Sequence, residues 1–313
     1  MSWQAVVVEW ILRRRKRRLR ADFDVAALRA ACEAFDRRRF RRDPAATLCP
    51  VVANGVACEW LDVPESRHDR VLLYLHGGAF SLRFPNLHAS YVARLCRATG
   101  ARGLIVDYRL APEHPYPSAV QDCHEVYRWL LAQGVAGRNV VIAGDSAGAN
   151  LTLVTLQRIK TAGEPLPACA IAVSPPVDLT MSSLSFVDNE ESDAFLRLSA
   201  LLAARRHYVA PERLTQPDVS PLFGDLAGLP PLLLQAGGRE LLRDDAVRFA
   251  DAARAAGVEV ESEIWPGMQH VFPLLQFLPE SAQAIEAAAR FVRRRPGWGL
   301  LGEARALCQP CIA

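Results

Sequence analysis

Short, unbroken apolar runs recur along this chain, and the intervals between them are filled by helix-like segments. The runs cover 71–75, 103–106, 140–143, 169–173 and 232–235, and an alternating segment follows at 258–265. A strand with one wet face alternates apolar and polar residues, whereas a continuous run marks a strand buried on both faces. Helical spacing is read near 88–99, 116–133, 148–162, 244–256 and 280–295. This order predicts an α/β fold with a mostly parallel sheet and helices on both of its faces. Upstream, Asn54-Gly55 lies between 48–53 and 56–63, the strongest short hairpin signal. A chain of 313 residues, half of them apolar, can bury a sizeable core and is too apolar for intrinsic disorder. No internal repeat is apparent.

Two segments fall outside the alternation: a helical-looking arm over residues 1–45 and an irregular stretch at about 180–215. Sites in α/β sheets form at the carboxyl ends of strands, so segments inserted there are expected to fold over the site as a cap. Residues 46–298 then make the catalytic domain, and 299–313 a tail. Residues 1–44 hold 13 Arg and Lys against 6 Asp and Glu, whereas the remainder is mildly acidic. The arm does not read as a secretory signal, because its short apolar stretch precedes the run Arg13–Arg18 instead of following it. Eight scattered cysteines, mostly with apolar neighbours, read as reduced core thiols. A cytoplasmic location is the expectation from these features.

Gly144-Asp145-Ser146-Ala147-Gly148 is a G-x-S-x-G pentapeptide between a strand-like run and a helix-like segment. That context holds a serine exposed on a sharp turn, with the Ala147 N–H and the helix N-terminus aimed at a developing oxyanion. His76-Gly77-Gly78-Ala79-Phe80 also follows a strand, and two glycines there let Gly77 and Gly78 turn their N–H groups inward as further donors. His76 is expected to brace the loop. A serine nucleophile needs a base, and His207 and His270 are the histidines downstream. His207 lies in the helical insertion, whereas His270 follows the last strand-like segment in a Pro/Gly turn, so His270 is chosen. For the orienting acid, Glu240 lies just past a strand end. Asp244 and Asp245 are the runners-up and also suit a helix start.

With Asp107-Tyr-Arg-Leu-Ala-Pro-Glu-His-Pro-Tyr-Pro117, Asp218-Val-Ser-Pro-Leu222 and the Gly-x-x-Glu-x-Leu-x-Asp-Asp stretch, these motifs make the chain resemble a known family. It resembles the hormone-sensitive-lipase-like family of bacterial α/β-hydrolase carboxylesterases, over about residues 50–295. The resemblance implies an α/β-hydrolase fold with a helical cap and hydrolysis of short- to medium-chain carboxylic esters. It implies Ser146 as nucleophile, His270 as base and Glu240 as acid, with oxyanion N–H groups from Gly77, Gly78 and Ala147. Asp145 and Glu113 would support the elbow and oxyanion loop. No cofactor and no metal is implied, the partner is a small ester, and a homodimer through the last strand and helix is the favoured assembly.

Three positions depart from the family pattern: Glu240 stands where many relatives have Asp, Ala79 replaces a third glycine, and Ser174–Asp178 lacks a frequent tryptophan. Two other readings stay open, a lactone or amide hydrolase on the same triad and a catalytically silent receptor of the gibberellin-receptor kind. Those receptors have lost the triad histidine, and His270 is present here. The run Arg13–Arg20 is read as the solvated face of a cap helix, with weak membrane-surface contact as the second reading. Nucleic acid is set aside for want of any accompanying motif. Cys308-Gln-Pro-Cys311 reads as a disordered tail.

Overall fold

The computed structural model describes residues 1–16 and 24–299, so Cys308, Cys311 and the second half of the basic run, residues 17–20, lie outside the described residues. The chain begins with helices α1 (Trp3–Lys16) and α2 (Val25–Arg39). A hairpin of β1 (Thr47–Ala53) and β2 (Val56–Asp62) follows, closed by Asn54 and Gly55, both at positive φ. Strand and helix then alternate through β3 (Arg67–Leu75), α3 (Pro85–Thr99), β4 (Ala101–Val106), α4 (Ser118–Ala132), β5 (Val140–Asp145), α5 (Ala147–Thr161) and β6 (Cys169–Val173). After β6 come α6 (Ser185–Asp188) and α7 (Leu198–Tyr208), within the stretch expected as an insertion. The chain ends in β7 (Leu232–Gly237), α8 (Arg243–Ala255), β8 (Val260–Trp265) and α9 (Pro279–Arg293).

The strands form one eight-stranded sheet in the order β1-β2-β4-β3-β5-β6-β7-β8. From β4 to β8 every pairing is parallel, whereas β2 joins β1 and β4 antiparallel. Successive side chains of a strand point to opposite faces. On β3, Val71, Leu73 and Leu75 therefore join the core built with α4, α5 and α8, while Leu72 and Tyr74 join the one built with α3 and α9. β5 repeats the division, with Val140 and Ile142 on one side and Val141 and Ala143 on the other. Both faces are dry, which is why the central strands read as continuous apolar runs. Four of the described cysteines, Cys58, Cys96, Cys123 and Cys169, are buried free thiols, and burial pushes all four thiol pKa values up.

Helix α3 begins at Phe84-Pro85, and no side chain of its own first turn caps it. The buried carboxylate of Asp36 on α2 does so instead, accepting from Asn86 N–H (2.8 Å) and Leu87 N–H (3.0 Å). The arm is thus tied to the sheet by a charge placed at a helix N-terminus, where it is favoured.

Candidate active site

Ser146 sits between β5 and α5 at φ 52°, ψ −122°, a left-handed conformation that L-residues adopt only under constraint. The constraint is visible on both sides. The Ser146 N–H donates to Val173 O on β6 (2.8 Å), and the Ser146 carbonyl accepts from Ala149 and Asn150 at the start of α5. Gly148 brings α5 against the end of β3 so closely that a Cβ there would overlap the Leu75 carbonyl, and a Cβ on Gly144 would overlap the Gly148 carbonyl. These two approaches explain the glycines on either side of the elbow. Ser146 keeps partial access to solvent while its flanking residues are buried.

His270 lies in the loop after β8, where Val271 takes φ 49° and donates its N–H to Ser174 Oγ at the end of β6 (3.1 Å). Its Nε2 is 3.0 Å from Ser146 Oγ and its Nδ1 is 2.6 Å from Glu240 Oε2. Glu240 is fully buried, and its other oxygen accepts from Gly237 N–H (3.0 Å). A carboxylate accepting at Nδ1 fixes the proton there and leaves Nε2 free to accept from the serine. Burial works against the imidazolium, but the hydrogen bond and charge of Glu240 outweigh it, with Asp193 and Asp145 adding. The His270 pKa accordingly lies above its ordinary value.

Asp145 and His76 organise the loop facing the elbow. Asp145 Oδ1 accepts from Tyr74 OH (2.5 Å) and Gly77 N–H (2.8 Å), with His88 Nε2 3.5 Å away. Burial would raise its pKa, yet His88, Tyr74 and Gly77 bring it below the usual carboxylate value. His76 Nδ1 is 2.8 Å from Gly77 O, its ring stacks on Tyr108 at 4.3 Å, and burial beside His88 lowers its pKa to about 3. It is a neutral ring packed within the loop.

Two expectations need correction. The Gly77 N–H is held by Asp145 and does not face Ser146; the next two N–H groups, of Gly78 and Ala79, find no acceptor among the described residues, nor does that of Ala147. Ala79 lines one cavity with Ser146 and Ala147, so the unengaged N–H groups beside the serine lie one residue further along the loop than expected. The shift follows from backbone conformation, since Gly78, Ala79 and Phe80 all take positive φ and turn the chain over the serine. Glu113 is not at the elbow: its carboxylate is half exposed and bidentate with Arg29 of α2 (2.8 and 3.0 Å), which holds its pKa at about 2. Arg29 in turn donates to the Ser81 and Ala111 carbonyls beside the oxyanion loop. Asp245 lies in the first turn of α8, as expected, but its carboxylate serves another segment. It is fully buried and accepts from Val177 N–H, Asp178 N–H and Ser183 Oγ, clamping the segment after β6. Asp244, in the first turn of α8, accepts from Ser185 N–H and Arg243.

The sequence reading missed Asn189, Asp193 and Ser174. Asn189 Nδ2 donates to the Glu240 carbonyl (2.8 Å), and Asp193 Oδ2 accepts from Leu241 N–H (2.9 Å). The segment between β6 and β7 thereby grips the backbone that carries the acid. No local pattern marks these residues, because Asp193 and Leu241 are 48 positions apart and Ser174 and Val271 97. The cavity over Ser146 is narrow, and Leu179, Met181, Phe186, Leu201 and Leu242 contribute much of its apolar lining. His207 is on α7, and the nitrogen facing Ser146 belongs to His270.

A model of the alpha/beta hydrolase fold family matches residues 72–274, well over half of the chain. The chain is 41% identical over 251 residues to an acetyl-hydrolase of Streptomyces hygroscopicus, covering 80% of this chain and 84% of the relative. It is 39% identical over 256 residues to an esterase of Acinetobacter venetianus, covering 81% and 84%. Among solved structures, an esterase from the bacterial hormone-sensitive lipase family superposes with a TM-score of 0.89 at 36% identity, over 95% of this chain and 99% of that one. The motifs, the sheet order and these matches agree, and the chain belongs to the hormone-sensitive-lipase-like family of α/β-hydrolase carboxylesterases.

Proposed function

We propose that the protein hydrolyses short- to medium-chain carboxylic esters through an acyl-enzyme on Ser146. The observation that carries this reading is the line Ser146 Oγ–His270–Glu240, at 3.0 and 2.6 Å, beside three unengaged backbone N–H groups. His270 Nε2 takes the serine proton as Oγ bonds to the ester carbonyl carbon. The carbonyl oxygen becomes an oxyanion against the N–H groups of Gly78, Ala79 and Ala147. Collapse breaks the ester C–O bond, and His270 returns the proton to the leaving alcohol. Water then attacks the acyl-enzyme with His270 again as base, releasing the acid and restoring Ser146. Residues 1–45 and 180–215 together act as the cap, and the apolar walls that the second segment contributes set how long an acyl chain fits.

The name acetyl-hydrolase on the Streptomyces relative fits the short end of this range. The test is a series of p-nitrophenyl esters from acetyl to hexadecanoyl, with a lactone and an aryl amide alongside. The expected result is the highest kcat/KM between acetyl and octanoyl, with slow or no turnover of lactone and amide. A rise continuing to hexadecanoyl, or faster turnover of the lactone or amide, would overturn the substrate class.

A further inference from the structure

Helix α1 is packed with its apolar side outward. Trp3, Val6, Val7, Trp10 and Ile11 fall at spacings of three and four, forming one stripe, and they are 72%, 50%, 45%, 54% and 47% exposed. The face toward the body carries Ala5 with Glu9, Arg13 and Lys16, and each charged residue there has a partner. Glu9 pairs with Arg239 (2.6 Å), Arg13 donates to Glu191 O (2.6 Å), and the buried Lys16 Nζ donates to Glu190 O (2.6 Å) and Asp193 O (2.7 Å). Ser2 adds two bonds to Glu280, of 2.5 and 2.8 Å. These anchors determine the rotation of the helix, so the stripe stays outward although water is a poor medium for it.

What faces the stripe must suit its charge as well as its apolarity. Residues 13–20 carry seven cations and no anion, and the Arg14 guanidinium lies 3.7 Å over the Trp10 ring. A second copy seated on the stripe would bring the same stripe and the same basic segment, with no anion among residues 13–20 to meet it. Residues 300–313 of the chain hold one Glu and one Arg, which gives them no charge to offer this segment. An anionic lipid surface satisfies both requirements, since tryptophans sit at headgroup level and cations meet the negative leaflet. The helix spans 14 residues, and no helix among the described residues is long and apolar enough to cross a membrane.

We propose that α1 docks the protein onto anionic lipid bilayers, lying in the interface plane with Trp3, Val6, Val7, Trp10 and Ile11 in the headgroup–acyl boundary. Ala5 packs with Met268 and Phe272, on either side of His270, so docking through α1 holds the site beside the lipid surface. This inference does not depend on the substrate reading, and its readout is binding, not turnover.

The test is cosedimentation of the full chain with phosphatidylcholine vesicles, with and without about one third phosphatidylglycerol, for wild type, Trp10→Glu and Ile11→Glu. Both substituted side chains are exposed, and thermal melts together with hydrolysis of a soluble short ester check that the variants fold. Wild type should bind the anionic vesicles at least about tenfold more tightly than the neutral ones, and each variant should lose about tenfold or more of that binding. Equal binding to both vesicle types would overturn the proposal. So would variants that bind like wild type, which would reduce the effect to charge alone. A concentration-dependent dimer abolished by Trp10→Glu, without vesicle binding, would assign the stripe to a second copy and likewise overturn it.

Discussion

Glu240 and His270 meet because one extra methylene lets a side chain anchored three residues past Gly237 reach across to the loop after β8. One oxygen is tied to the Gly237 N–H, so the other cannot swing freely. Glu240→Gln removes the charge that stabilises imidazolium and lets the amide favour the wrong tautomer. By analogy with the Asp-to-Asn change in a serine protease, kcat on a soluble ester should fall by about 10⁴. Glu240→Asp keeps the charge but withdraws it, and misplacement by about 1 Å points to a loss on the order of 10- to 100-fold. A Gln variant turning over near the wild-type rate would remove Glu240 from the relay. Asp245 has a different consequence. Burial raises its pKa to about 7, so the folded state favours the protonated acid, and this contribution to stability is lost as pH rises through about 7. Asp245→Asn should therefore gain stability relative to wild type as pH rises from about 4 to about 7, levelling off above that, in denaturant titrations; a difference independent of pH between about 4 and about 7 would contradict the assignment.

At the scale of elements, the apolar runs made the central sheet legible, because strands dry on both faces carry their burial in their own composition. The hairpin was equally plain, since Asn54 and Gly55 accept the positive φ that its turn demands. What escaped was contributed across the fold. The beginning of β3 at Arg67-His68-Asp69-Arg70 is polar, and it pairs with β4 only through a register shift before Val71. The cap of α3 comes from Asp36, 50 residues before Asn86. Asp36→Ala should cost about 1 kcal/mol of unfolding free energy, within roughly 0.5–2, in urea titration; a change below measurement would show that α3 needs no such cap. Deleting residues 1–42 removes Asp36 and Arg29 together. The melting temperature should then drop along with a change in acyl preference, while a small fluorophosphonate still labels Ser146. Unaltered preference across the ester series would separate the arm from the cap.

For the whole molecule, motif and strand order led the sequence reading to Ser146, His270 and Glu240, which the fold brings within hydrogen-bonding distance of one another. It was misread where backbone conformation decides, at Gly77, whose N–H is held by Asp145. Turnover needs neutral His270, whose pKa is raised, so the acidic limb of the kcat/KM profile should lie above pH 6.5, the ordinary histidine value. The residual activity of Glu240→Gln should show that limb at lower pH, because the raising partner is gone; a limb that does not move would assign it to another group. The central claim is the covalent intermediate. Rapid acid quench of the enzyme with p-nitrophenyl butyrate, followed by peptide mass analysis, should find a butyryl group on Ser146 in wild type. Ser146→Ala should carry no adduct and lose about 10⁶ in kcat, as a serine triad acting as a unit does. Ester turnover persisting in Ser146→Ala, or a wild-type adduct on any other residue with Ser146 unmodified, would contradict the account.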